Sequence, residues 1–331
     1  MMRLIKKLFI LGVIVLLIAS AWLAYYAVKP LNLKPASQEI TIAPKSGLKS
    51  IANQLVQQGV LKEPWGFIIL AKLFNKEPSL QAGDYTLNRN ITPYQLLFSL
   101  NNGKATQGSL TFIEGRTFAQ MRQKMKKNDA LKQTVTTLSD SEILKLMGSN
   151  YTKAEGLFFP DTFYFDRGTA DTVVLQRSYD AMQNKLAKAW GERASNLLYK
   201  NSYEALIMAS IVEKETGKAS ERPMIAGVFI NRLRKGMRLQ TDPTVIYGMG
   251  EAYDGNIRKK DLIADTPYNT YTRDGLPPTP IAMPGLAAIE AALHPAETKA
   301  LYFVGKGDGS HAFTNNLQDH NRAVVKYQLK K

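Results

Sequence analysis

The chain has 331 residues, 45% of them hydrophobic, and carries 43 Lys and Arg against 28 Asp and Glu, a formal net charge of +15. That length and apolar content suit two modest folded domains and exclude a disordered chain, while the positive balance favours polyanionic partners: nucleic acid, anionic lipid headgroups or a wall polymer carrying carboxylates. The absence of cysteine excludes disulfides, thiolate metal sites and cysteine nucleophiles together.

After Arg3, Lys6 and Lys7 comes an uncharged run from Leu8 to Val28, close to the ~20 residues a helix needs to cross a bilayer. Ala19-Ser20-Ala21 has the small-residue pattern of a signal-peptide cleavage site, but the apolar run continues through Trp22, Leu23, Ala24, Tyr25 and Tyr26, past the length of a signal core. The expectation is a retained single-pass anchor with an aromatic belt at its far end. Positive charge before the span predicts a cytoplasmic N-terminus, residues 1–7, and places everything after Lys29 outside, where nucleic acid is no partner.

Residues 29–37, with two prolines, read as a stalk. Glu39-Ile-Thr-Ile-Ala43 alternates as a strand. Ser46-Gly47 opens a helix through Leu48, Ile51, Ala52 and Leu55, and a second helix follows Pro64. Gly83 to Leu87 reads as a returning strand, and Thr92-Pro93 begins another helix toward Gly103. These elements make a small α+β module over residues 38–104. Leu110 to Ile113 resembles a strand, and residues 105–150 are otherwise a helical, Lys- and Met-rich connector. The largest block, residues 151–331, holds the unusual residue combinations.

Glu204 to Gly217 is a helix by composition, with Gly217 suited to a left-handed stop. Helical spacing sets Glu215 above Ile211 and Val212, with Met208 a turn lower, whereas Glu213 follows Ala209 and Ser210. A carboxyl against apolar neighbours at a helix C-terminus resists ionisation, which is what a general acid at neutral pH requires; a surface run of solvated charges is the plainer alternative. Ser220 can cap the next helix, stopped at Gly236. Met237-Arg-Leu-Gln240 alternates as a strand that breaks at Asp242-Pro243, leaving Gln240 and Asp242 at a strand end suited to substrate contacts or to turning. Tyr268-Asn-Thr-Tyr271 precedes a proline-rich loop; its side chains can hydrogen-bond sugar hydroxyls or acetamido groups, and ordinary loop residues are an equal alternative. His294, His311 and His320 have no metal-ligand spacing; His311, in a hairpin formed by residues 301–304 and 311–314, reads as structural.

Taken together, Ala209-Ser-Ile-Val-Glu-Lys-Glu-Thr216, Val228-Phe-Ile-Asn-Arg-Leu233, Met237-Arg-Leu-Gln-Thr-Asp-Pro-Thr-Val-Ile-Tyr-Gly248, Tyr268-Asn-Thr-Tyr271 and Gly275-Leu-Pro-Pro278 resemble the YceG-like endolytic murein transglycosylases. Glu155-Gly-Leu-Phe-Phe-Pro-Asp161 and Gly309-Ser-His311 with His320-Asn321 match the same family. The resemblance implies an α+β protein with an N-terminal transmembrane helix (residues 8–28), a LysM-like module and a larger catalytic domain of lysozyme-like type. It implies Glu215 as the catalytic acid and base, and by looser analogy Gln240, Asn269 and Tyr271 as substrate-positioning residues. The implied reaction is cleavage of the MurNAc-GlcNAc bond within nascent glycan strands, leaving a 1,6-anhydro-MurNAc end and terminating elongation at the inner membrane, with peptidoglycan synthases as neighbours and no cofactor. A muramidase using water, with Asp242 or Glu213 as a second carboxylate, and a non-catalytic wall-binding scaffold are the alternatives.

Overall fold

In the computed structural model, which describes residues 2–34, 37–76, 80–101 and 108–329, the N-terminal run forms one helix, α1 (Met2–Val28), of 27 residues. It is long and apolar enough to cross a membrane, and nearly all of Leu11–Val28 stands uncovered by the rest of the chain. The chain divides into two compact units, one of Met1–Ser109 with Tyr164–Thr169 and one of Leu110–Phe163 with Ala170–Lys331.

The first unit contains α1, β1 (Ser37–Ile42), α2 (Leu48–Gln57), α3 (Trp65–Leu73), β2 (Gly83–Asn88) and α4 (Pro93–Asn101). β1 and β2 pair antiparallel with Ile40 opposite Tyr85, and their alternation sends Ile40, Ile42, Tyr85 and Leu87 into one core. The apolar stripe of α2 closes that core with Leu48, Ile51, Ala52 and Leu55. On the edge of β1, Gln58 of the α2 C-cap accepts from the Thr41 N–H at 2.8 Å and donates to its carbonyl at 2.9 Å, so side chains stand in for a missing strand.

The expected stalk is not free over its first part. Leu31 N–H donates to the Ile91 carbonyl and Leu33 N–H to that of Arg89, and Leu33 is buried in the core. Its alternating leucines make it a strand-like edge of the module, although two prolines suggest a spacer. Residues 35 and 36 of that segment, 77–79 and 102–104 of the expected module, and 105–107 of the connector lie outside the described residues.

β3 (Gly108–Thr111) leads into the second unit. There follow α5 (Phe118–Lys126), β4 (Leu131–Lys132), α6 (Asp140–Leu146), β5 (Thr162–Phe165), β6 (Thr169–Ala170), α7 (Asp171–Gly191), α8 (Ser202–Glu215), α9 (Arg222–Arg234), α10 (Asp242–Met249), α11 (Lys259–Ile263), α12 (Leu286–Leu293), β7 (Tyr302–Gly305), β8 (His311–Thr314) and α13 (Leu317–Val324). From Leu110 onward the connector belongs to this unit. Buried Asp171, at the start of α7, holds it by accepting from the Thr134 hydroxyl and from the Thr134 and Val135 N–H groups. The protein is thus a mixed α+β chain with one N-terminal apolar helix.

α8 is the centre of the second unit. Its residues Ala205 to Val212 are all buried, and α7, α9, α10 and α12 pack around it. A helix whose middle two turns are apolar on every side has to be covered all round there. Three local expectations change. α8 ends because Thr216 turns extended at φ −145°, not through a left-handed Gly217. α9 starts behind a 3₁₀ turn with Glu221, not Ser220, at its N-cap. Met237 to Gln240 is no strand, and Asp242-Pro243 opens α10, where proline in the first turn loses no needed N–H.

Candidate active site

Glu215 is the last residue of α8, set there by the buried row Met208, Ile211 and Val212 beneath it. Its carboxyl opens into a cleft of about 440 Å³ in the second unit, which Gln240, Asp242, Tyr271, Arg232, Tyr302 and His311 also line. The Thr241 hydroxyl donates to Glu215 Oε1. Burial pushes the carboxyl up to about 7, against that hydrogen bond, and the negative charge of Asp242 adds to the rise while His311 and Arg232 oppose it. At neutral pH such a group is partly protonated, able both to give and to take a proton.

The polar wall opposite is built from the 237–242 and 268–271 loops. Gln240 holds φ +50°, a left-handed backbone that an ordinary side chain adopts at a cost of about 1 kcal/mol or more, and the fold fixes it there. Its N–H donates to the Thr270 carbonyl at 3.1 Å and its side-chain oxygen accepts from Arg232 at 3.2 Å. Arg232 also donates to the carbonyls of Leu239 and Leu301, at 3.0 and 2.7 Å, and lies over the Tyr302 ring. One guanidinium thereby joins the Gln240 turn to the hairpin. Tyr271 donates its phenol proton to Asp242 at 2.5 Å, and burial, followed by that carboxylate, raises its pKa.

Of the four site residues named from the sequence, Glu215, Gln240 and Tyr271 meet in this cleft and Asn269 does not line it. Asn269 is 1% exposed. It donates to the carbonyls of Ala264, Asp261 and Leu262 at 2.7 to 3.1 Å and accepts from the Tyr271 N–H at 2.8 Å. Its amide braces the loop that presents Tyr271.

Two histidines reach the cleft beyond the sequence reading. His311 Nδ1 lies 2.7 Å from Glu221 Oε2, and the His311 N–H donates to Oε1 of the same carboxylate at 3.2 Å. His320 stacks on Tyr302, and burial lowers its pKa. The hairpin signal placed His311 on a strand but not which groove its ring faces. Glu213, two residues from Glu215, is tied elsewhere: it pairs with Arg222 at 3.1 Å and accepts from the Gly285 N–H at 3.1 Å, with 6% of its side chain exposed.

Fold and cleft together define a mixed α+β domain with a buried glutamic acid, held near neutrality, in a polar, aromatic-walled groove, the arrangement of an enzyme that moves protons on a hydroxyl-rich substrate. The chain belongs to the YceG-like family, which it matches over residues 40–326. It is 33% identical over 308 residues to the endolytic murein transglycosylase of Bacillus subtilis, covering 87% of this chain and 84% of that one. It is 30% identical over 316 residues to the endolytic murein transglycosylase of Streptococcus pneumoniae, where it covers 85% of this chain and 57% of the longer relative. A crystal structure of a YceG-like protein from Listeria monocytogenes superposes with a TM-score of 0.57 at 30% identity, covering 87% of this chain and 98% of that one.

Proposed function

We propose that this chain is an endolytic peptidoglycan lytic transglycosylase, with Glu215 serving in turn as acid and base. The observation that carries the reading is a single acid held near neutrality in the cleft while its neighbour Glu213 is locked in an ion pair. Protonated Glu215 gives its proton to the glycosidic oxygen, the C1–O bond of N-acetylmuramic acid breaks, and the GlcNAc-ended strand leaves as an alcohol. The sugar's own acetamido group stabilises the cationic C1. The Glu215 carboxylate, steadied by the Thr241 hydroxyl, then takes the proton of the C6 hydroxyl as its oxygen closes on C1, which yields the 1,6-anhydro end and restores the acid. Gln240 and Tyr271 orient the sugar; Asn269 acts through the Tyr271 loop.

In the same reading, residues 8–28 anchor the chain in the cytoplasmic membrane, 38–104 form a LysM-like module, and the second unit is a lysozyme-like catalytic domain acting outside the cytoplasmic membrane on nascent strands, where cutting terminates elongation beside the synthases. The names of the bacillary and pneumococcal relatives support the reaction class. Digestion of purified glycan strands tests it: products from the parent enzyme should be one water lighter than hydrolysed ends, and Glu215→Gln should lower turnover by roughly 10²–10⁴-fold or more with binding retained. One observation favours a second reading. Asp242 faces the same cleft as Glu215, and if reducing ends predominate and Asp242→Asn removes them, a water-using muramidase is the correct description.

A further inference from the structure

We propose that the face of α3 bearing Trp65, Ile69 and Leu73 is immersed in the lipid interface beside α1, so that the first unit is docked on the bilayer instead of held above it; the proposal rests on α1 being a retained anchor. These three side chains are 61%, 47% and 67% exposed, large and apolar, at a spacing of four residues that sets them in one stripe. The opposite side of α3 already supplies Phe67, Leu70 and Ala71 to the core, so the helix is apolar all round. A helix of that kind is normally covered on every side, by protein or by lipid.

What covers the stripe follows from where the unit grips α1. Ala27 belongs to the buried core of the first unit, and Leu23 packs against it. Gly66, next to Trp65, lies so close to the Tyr26 ring that a Cβ there would sit 2.7 Å from it. The unit therefore holds α1 from Leu23 onward. Only the uncharged residues from Leu8 to Trp22 lie before the grip, and at 1.5 Å per residue they span about 22 Å, against about 30 Å of hydrocarbon. The gripped turns have to complete the crossing. The part of α3 beside them then enters the interfacial layer, where a depth of about 5–10 Å is usual for an apolar helix face. Lys62 and Lys72 flank the stripe in exposed positions suited to anionic headgroups, and the Trp22–Tyr26 stack sits at the depth where aromatic belts lie.

The cysteine-free chain allows the test on the full-length protein. An environment-sensitive fluorophore on Ile69→Cys or Leu73→Cys is compared with one on Ile18→Cys in α1 and one on Asn53→Cys on the exposed side of α2, in nanodiscs of phosphatidylethanolamine and phosphatidylglycerol, with shallow nitroxide lipid for positions 53, 69 and 73 and a nitroxide deep on the acyl chain for position 18. Docking predicts quenching by about two-fold or more at positions 18, 69 and 73 and none at 53. Positions 69 and 73 behaving like 53 while 18 is quenched would overturn the docking and leave the anchor standing. An unquenched position 18 would remove the anchor, and the proposal with it. Blue-shifted emission at 69 without nitroxide quenching would replace lipid by a second protein surface, which also overturns it.

Discussion

Glu213 and Glu215 stand two positions apart on α8, and because the helix turns about 200° between them they meet opposite surroundings. Glu213 reaches Arg222 and the N-terminus of α12; Glu215 reaches the cleft. Glu213→Gln is therefore a stability variant: it should lower Tm while leaving cleavage by the folded fraction intact, whereas Glu215→Gln should do the reverse. The pH profile of the parent should fall on its alkaline side around the value of about 7 to which burial pushes Glu215, since the first step needs the proton. A third carboxyl, Glu155, is not in the cleft residues at all. It accepts from the Phe118 N–H at 3.0 Å and the Tyr247 hydroxyl at 3.1 Å, and burial pushes it from 4.5 to about 7. A carboxyl raised on folding contributes stability that is complete below its unfolded value and is lost as pH rises through its folded one. The window is 4.5 to about 7. Glu155→Gln, whose amide can accept from Phe118 and donate to Tyr247, should raise Tm above that of the parent at about pH 8 and match it at about pH 4, measured by thermal unfolding.

At the scale of elements, periodicity was a good guide wherever one face alone is buried. β1, α2, α3, β2 and α4 lie within a few residues of their expected places because alternation of two and spacing of three to four are local signals. Glu215 was less legible: helical spacing alone left a run of solvated charges as the plainer reading, and the resemblance to the family's motif singled it out. What escaped was made by contacts between distant segments: Thr241 meets Glu215 across 26 residues, Arg232 meets Leu301 across 69, and Glu221 meets His311 across 90. Met237 to Gln240 alternates like a strand, yet Arg232 and Thr270 take its backbone groups, which a neighbouring strand would otherwise need. Asn269 was read by residue type, which does not reveal that the loop consumes its amide. Gly227 is a similar case in α9. A Cβ there would lie 2.5 Å from the Ala296 carbonyl oxygen, a backbone atom that cannot swing aside. Gly227→Ala gains about 1 kcal/mol of helix propensity but incurs about 1–3 kcal/mol of overpacking, so the net effect should be a lower Tm with the packing of α9 against Ala296 and Thr298 disturbed.

For the whole molecule, the proposed anchor raises the question of which side of the membrane the second unit occupies, and the physical argument turns on which charges count. Arg3, Lys6 and Lys7 precede the apolar run and Lys29 and Lys34 follow it closely, so a bare tally of flanking residues barely discriminates. The rule weighs short flanks, however, and a following segment of roughly 300 residues translocates largely regardless of its charge. On that argument the short N-terminal flank decides, and the proposed topology keeps it inside. The reaction requires the same orientation, because peptidoglycan strands lie outside the cytoplasmic membrane. A fusion after Lys331 to a reporter that matures only outside the cytoplasm should be active, and a cytoplasm-dependent reporter at the same point should be dark; the opposite pair of results would reverse the topology. Mature protein should also keep its N-terminal residues by mass spectrometry. Loss of everything up to Ala21 would show that the small residues there are cleaved, leaving only Trp22 to Val28 of α1, about 10 Å of helix and too little to cross a bilayer.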